Sequence, residues 1–255
     1  MSVTLAQTLL IALLLGSARA GAWLAICPPF NGKSMPTPAK ALLSIGMTLP
    51  LTPHIASAVP AAISTPALLF DVAEQVVIGA ALGFCTNLLF SAAQSAGALV
   101  DLFGGFSVAF AFDPFAYSGN AVFGRFYNLT AMTLLFTTGA DQLMIAGFAR
   151  SYRAVPLAGT PPLNHLSRLL TDGVGQMFLS AVQMAGPLIG VLFITDLALG
   201  LLSRVAPSLN VFSLAFPAKI LLTLSIMGAA LVLLPGAVRS LVDAMVTAAM
   251  SLFGT

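Results

Sequence analysis

Residues 75–100 read QVVIGAALGFCTNLLFSAAQSAGALV, a run without one charged side chain, and that run decides the class of the fold. At about 1.5 Å of rise per residue it crosses a hydrocarbon layer about 30 Å thick as a single helix. The uncharged windows 173–195 and 220–238 reach comparable length, and 2–18 is a further apolar segment of near-spanning length. The window 41–70 is longer still, but Pro50, Pro53, Pro60 and Pro66 interrupt it. A helix followed by a loop is expected there.

Composition agrees with these windows. The chain has 255 residues, 58% hydrophobic and 7% charged, against roughly one quarter charged in soluble domains. Ten Lys and Arg and eight Asp and Glu cannot cover a water-facing surface, so lipid or other apolar protein must cover it. The formal net charge is +2 and the basic residues form no block, which argues against nucleic acid as a partner.

Cys27 and Cys85 show no CxxC or Cys/His spacing and read as small hydrophobes, so no metal and no cofactor is expected. HExxH, GxSxG and P-loop patterns are missing, and His54 and His165 stand alone in loop sequence, so no enzyme is expected either. The run 9–15 followed by Ala18-Arg19-Ala20 has the outline of a cleaved signal peptide. No Lys or Arg precedes Arg19, however, and an Arg inside the cleavage motif is unfavourable, so the segment is expected to remain as a helix.

Along the chain, helix is predicted over about 5–26, then a turn-rich stretch 27–38, a helix 39–49, and loop through the prolines to Pro66. A long helix 66–102 follows, with Asp71 and Glu74 read as acids at its positive end. After Gly104-Gly105 comes an aromatic segment, 106–115, then a helix 122–152, a polar loop 156–164, and two or three helices broken near Pro207 and Pro235. No soluble domain or linker interrupts this pattern. Residues 1–255 are expected to form one all-α integral membrane domain.

The long helix carries Gly79, Gly83, Asn87, Ser91 and Ser95 at four-residue spacing, which lines up small and polar side chains in one stripe. Membrane helices approach closely along such stripes. Packing within the chain and contact with another subunit both fit the pattern.

Residues 206–220, APSLNVFSLAFPAKI, carry a stronger signal. They resemble the signature of the FliR family, roughly A-P-Q-L-N-V-F-x-x-G-F-P-x-K-I, with Ser208 and Ala215 as departures. Residues 74–84, EQVVIGAALGF, are similar to the family's E-x-x-x-G-x-x-x-G helix. Asp113-Pro114 after a Gly- and Phe-rich stretch matches too, as do the order and spacing of Arg19, Pro28-Pro29, Pro36 and Lys40. At 139–142 the chain reads GADQ where many members carry Gly-His, so that turn receives no role.

The resemblance implies a single-copy core subunit of the flagellar type III protein export gate. Such a subunit assembles with several copies of FliP and FliQ into a helical, ring-like channel for exported flagellar proteins, and FlhB associates with that gate. It implies residence in the bacterial inner membrane at the flagellar basal body, with helices in kinked hairpins lying largely above the bilayer plane. Hydropathy read by itself gives five or six simple spans instead. Two other readings stand beside it. One is the homologous subunit of the virulence injectisome, against which Phe216-Pro217 argues. The other is a small-solute transporter, which should show repeated halves that this sequence lacks.

The aromatic segment, with Gly104, Gly105, Phe106, Phe110, Phe112, Asp113, Pro114 and Phe115, is too interrupted to span and too apolar for water. Loop at membrane depth must be buried in protein or line a cavity. The family resemblance implies a plug in the gate's lumen; a hydrophobic turn packed in the core is the plainer reading. Glu74, Gly79, Gly83, Pro207, Asn210, Phe212, Phe216, Pro217 and Lys219 are the candidate subunit-contact or structural positions. Lys219 stands out because a Lys at membrane depth needs a carboxylate, a wet cavity, or a helix end from which to snorkel, such as Pro217 could supply. Asp101, Asp196 and Glu74 could pair with Arg125, Arg204 or Lys219, and sequence does not choose among them.

Overall fold

A computed structural model describes residues 2–32, 35–60, 63–107, 121–158, 163–208 and 210–252. Among the described residues every regular element is a helix: α1 (Ser2–Ile26), α2 (Thr37–Thr48), α3 (Thr52–Ile55), a 3₁₀ turn (Ala56–Ala58), α4 (Thr65–Phe103), α5 (Val122–Thr137), α6 (Ala140–Ala154), α7 (Leu163–Val205) and α8 (Val211–Leu252). The all-α membrane class read from sequence is therefore the observed one.

Local chemistry explains most boundaries. Past the end of α1, the Asn31 side chain donates to the Ile26 carbonyl at 3.0 Å and the Phe30 amide to the Cys27 carbonyl at 2.9 Å. These bonds satisfy groups that a helix end leaves open. The expected loop after residue 49 instead contains α3 and the 3₁₀ turn, bent by 64° from α2. Pro53 falls in the first turn of α3, where a missing N–H breaks nothing.

The other corrections have similar causes. The start of α4 at Thr65 leaves no acid in its first turn, so Asp71 and Glu74 lie beyond the reach of the helix end's positive charge. The single helix expected over 122–152 divides into α5 and α6 because Gly139 takes φ +71°, the left-handed conformation that ends helices. The turn near Pro207 is present, but Pro235 lies inside α8, as does Pro217, and Pro187 lies inside α7. Lys219 therefore sits within a helix and not at its end. Membrane helices tolerate such prolines because neighbouring groups satisfy the freed carbonyls.

Four described helical stretches are long and apolar enough to span a membrane: Ala6–Ile26, Thr65–Phe103, Leu170–Val205 and Ser213–Val232. The bent pair Thr37–Thr48 with Thr52–Ala58 would make up to five. The upper hydropathy reading, six spans, exceeds what the described helices supply.

Packing groups the chain into two compact units. The first comprises Met1–Leu88, Gly139–Val174 and Asp243–Thr255. In its core Ala12, Leu15, Trp23, Leu24, Ile55, Phe148, Tyr152 and Leu157 are buried together, and Trp23 stacks on Phe148 with centroids 4.7 Å apart. Gly79 and Gly83 bring α4 against α1. A Cβ at Gly79 would collide with the Arg19 carbonyl oxygen, and one at Gly83 would lie 2.9 Å from that of Trp23. The second unit comprises Leu89–Thr138 and Gly175–Val242. Here Phe90, Ala93, Ala131 and Leu135 border an apolar cleft with Met184 and Val238.

Candidate functional site

In the second unit, residues of the signature 206–220 meet the end of α4. The α4 helix stops at Gly104-Gly105, and Gly105 takes φ +84°. A Cβ at Gly104 would lie 2.9 Å from the Thr223 hydroxyl oxygen, so α8 and the end of α4 approach as only glycine allows. Beside it, Gly105 faces the Phe216 ring, with Cδ1 3.5 Å from where its Cβ would be. The Phe106 ring meets Phe123 of α5 edge-on at 4.9 Å. The entry to the aromatic segment is thus seated on α8 and α5. Phe110, Phe112, Asp113, Pro114 and Phe115 lie outside the described residues.

Beyond the segment the chain returns as α5, whose N-cap, Ala121, offers no side-chain acceptor. Asp101, buried in the last turn of α4, supplies one: its Oδ2 accepts the Gly124 N–H at 3.1 Å. The same carboxylate faces the Val122 and Phe123 amides. Close packing adds to this tie, because a Cβ at Gly97 would collide with the Phe123 carbonyl. The acid left without an assigned partner by sequence therefore serves backbone donors at a helix start.

Lys219 finds its carboxylate. Its Nζ lies 2.7 Å from Asp196 Oδ1 and 3.0 Å from Oδ2, tying α8 to α7. Of the other candidates, Asn210 caps α8, its Oδ1 accepting the Ser213 N–H at 3.3 Å. Pro207 is exposed in the turn before α8, Pro217 is exposed on α8, and Phe212 lies in the first turn of α8. Glu74 is half-buried on α4 near Asp71.

In the first unit the structure reveals a centre to which sequence reading gave no role. Arg19 is fully buried. Its Nε donates to Gln75 Oε1 at 2.7 Å, and two guanidinium nitrogens donate to the carbonyls of Ser151 at 2.9 Å and Val155 at 2.8 Å. Its guanidinium carbon lies 4.5 Å from the centroid of the Tyr152 ring. Gln75 passes its own N–H to the Leu157 carbonyl at 3.1 Å, and the Tyr152 hydroxyl donates to the Gly16 carbonyl at 2.7 Å. Burial, against the pull of Arg19 and then Thr48, pushes the Tyr152 phenol up to about 12, so it stays a neutral donor. The usable signal was a lone Arg between Gly16 and Gly21 on an otherwise uncharged helix.

Residues 10–245 match the family described as "Bacterial export proteins, family 1". The chain is 31% identical over 220 residues to the flagellar biosynthetic protein FliR of Pectobacterium carotovorum subsp. carotovorum, covering 84% of this chain and 82% of that protein. It is 30% identical over 208 residues to FliR of Escherichia coli strain K12, covering 82% and 79%. It is also 31% identical over 154 residues to the Yop proteins translocation protein T of Yersinia pestis, covering 60% and 59%.

Proposed function

This chain belongs to the FliR family of bacterial export proteins, and we propose on that premise that it is a core subunit of the flagellar type III export gate. Its apolar helices and its family make it a membrane protein of the flagellar export apparatus. In the finer reading it resides in the bacterial inner membrane and builds the export channel with FliP and FliQ. FlhB then associates with that channel, and flagellar proteins pass through it. The segment 106–115 seals the resting lumen with its phenylalanines, because an apolar constriction excludes water and ions. No step in this reading needs enzymatic chemistry.

The observation that carries the reading is the seating of Gly104 and Gly105 on Thr223 and Phe216. Apolar chain that lines a lumen must be held by protein, and here the described start of the segment is held by the helix that bears the family signature. The Yersinia relative supports a second reading, an injectisome gate subunit; Phe216-Pro217 and the fuller coverage of the flagellar relatives support the first.

The test is co-expression with the FliP- and FliQ-like proteins of the same cell, in a strain whose own FliR gene is deleted. A heteromeric membrane complex and restored motility are expected. A stable, monodisperse monomer that binds neither partner would overturn the reading, and restored injectisome secretion without motility would favour the second.

A further inference from the structure

We propose that Asp101 is a positioning residue that locks the last turn of α4 and the first turn of α5 into one collar, and so holds together the point where the chain leaves α4 and the point where it enters α5. The role in sealing rests on the gate reading above; the locking rests on the geometry alone.

Three features point to it. Asp101 is 2% exposed, and its Oδ2 takes the Gly124 N–H while Oδ1 has no hydrogen-bond partner among the described residues. Burying a carboxylate with one unsatisfied oxygen is unfavourable, so the tie it makes should have a use. Second, a local cap would have been simpler: Ser, Asp or Asn at position 121 could satisfy the same amides without a long-range contact. Ala121 stands there instead. The start of α5 is therefore capped only while α4 is in place, which couples the two helix ends. Third, Gly97 and Gly124 remove the side chains that would hold α4 and α5 apart; a Cβ at Gly124 would lie 3.2 Å from the Gln94 carbonyl oxygen. The described chain leaves this collar at Ser107 and resumes at Ala121. Separation of these two points is therefore resisted at the collar.

The experiment uses the full chain in its complex with FliP- and FliQ-like partners, in a background with Cys27→Ser and Cys85→Ser. Spin labels go at Leu102→Cys on α4 and Leu129→Cys on α5, both exposed on this chain. In the parent, one narrow distance distribution is expected. Asp101→Ala should broaden it, since losing a charge-assisted hydrogen bond shifts such an equilibrium roughly tenfold to a hundredfold toward the separated arrangement. Adding Ala121→Asp in the Asp101→Ala background restores a local cap but no tie to α4, so the distribution should stay broad.

A distribution unchanged by Asp101→Ala would overturn the proposal. So would one that Ala121→Asp restores, because Asp101 would then be a helix cap and nothing more. If Asp101→Ala does not assemble, Asp101→Asn, which keeps an acceptor for Gly124, should broaden the distribution partially, and no broadening would again overturn the proposal. Ion conductance measured on the same complexes separates the two layers. Broadening with a leak supports both, and broadening without a leak supports the lock and counts against the seal.

Discussion

Arg19 and the Lys219–Asp196 pair solve the same problem, a cation in an apolar setting, in opposite ways. Arg19 draws these acceptors from its own unit and all of them are neutral: an amide oxygen, two carbonyls, the Ser151 hydroxyl and an aromatic face. The carbonyls belong to the end of α6, where the helix carries partial negative charge, so the cation is met by dipoles. Lys219 has a carboxylate, but the Asp196 side chain remains 45% exposed and Lys219 15%. Around Asp196 on α7, Phe193, Ile194, Leu197 and Leu201 are exposed as well. One centre is complete within the chain; the other sits on an apolar face that membrane or a partner must cover. The difference separates a residue that builds the subunit from a pair that conditions its surroundings.

The largest expected effect comes from breaking the self-contained centre. Arg19→Met should leave the Val155 carbonyl and Gln75 without their donor, destabilising the chain by about 3 kcal/mol or more. Arg19→Lys should recover little, since an ammonium cannot reproduce the planar fork. Complex abundance and thermal inactivation in detergent read this directly; wild-type values for Arg19→Met would show that the network is incidental.

Next in size are the glycines that let α4 approach this centre. Gly79→Leu or Gly83→Leu should cost about 1–3 kcal/mol through overpacking, read as a lower unfolding temperature. That loss should be accompanied by reduced recovery from membranes.

The exposed pair should respond differently. Lys219→Leu and Asp196→Leu should each weaken assembly more than Leu231→Ile does, because each leaves a charge orphaned in apolar surroundings, and the double variant should regain part of the loss. Pro217→Ala added to Lys219→Leu should impair motility further. Strictly additive losses from the two charge substitutions would break the comparison, since they would show that the pair is not energetically coupled.

The smallest effect should come from glycines of α7 that meet no neighbour. A Cβ at Gly190 or Gly200 finds no atom within 4 Å, so Gly200→Ala should change the stability of the subunit by less than about 1 kcal/mol. A drop in complex yield without a drop in subunit stability would mark that position as covered by a partner and sharpen the contrast with Gly79.

The membrane class and the long helices were legible because a charge-free window of spanning length can scarcely be kept in water. Gly104-Gly105 was legible as a helix end, since two adjacent glycines terminate α4 whatever surrounds them. The division at Gly139 was not, because the polar sequence around it reads equally well as continuous helix and only the backbone conformation decides. Prolines misled twice, each time read as helix breakers. Pro53 starts a helix and Pro235 sits inside one, and the outcome depends on whether the lost N–H had a role. Of the site, Lys219 was visible as an isolated charge, but its partner Asp196 needed the α7–α8 contact. Arg19 and Asp101 escaped assignment because both bond mainly to backbone groups, and backbone acceptors and donors leave no trace in a sequence.

The measurement that bears most directly on the gate reading is ion conductance across membranes containing the complete complex, with complex abundance determined in the same samples. Two variants serve, Phe110→Ala with Phe112→Ala, and deletion of residues 107–112. A sealing segment predicts proton or small-ion leak at normal complex abundance, and dependence of that leak on the FliP- and FliQ-like partners, since one chain cannot enclose a pore. Normal conductance from a normally assembled deletion variant would contradict the account.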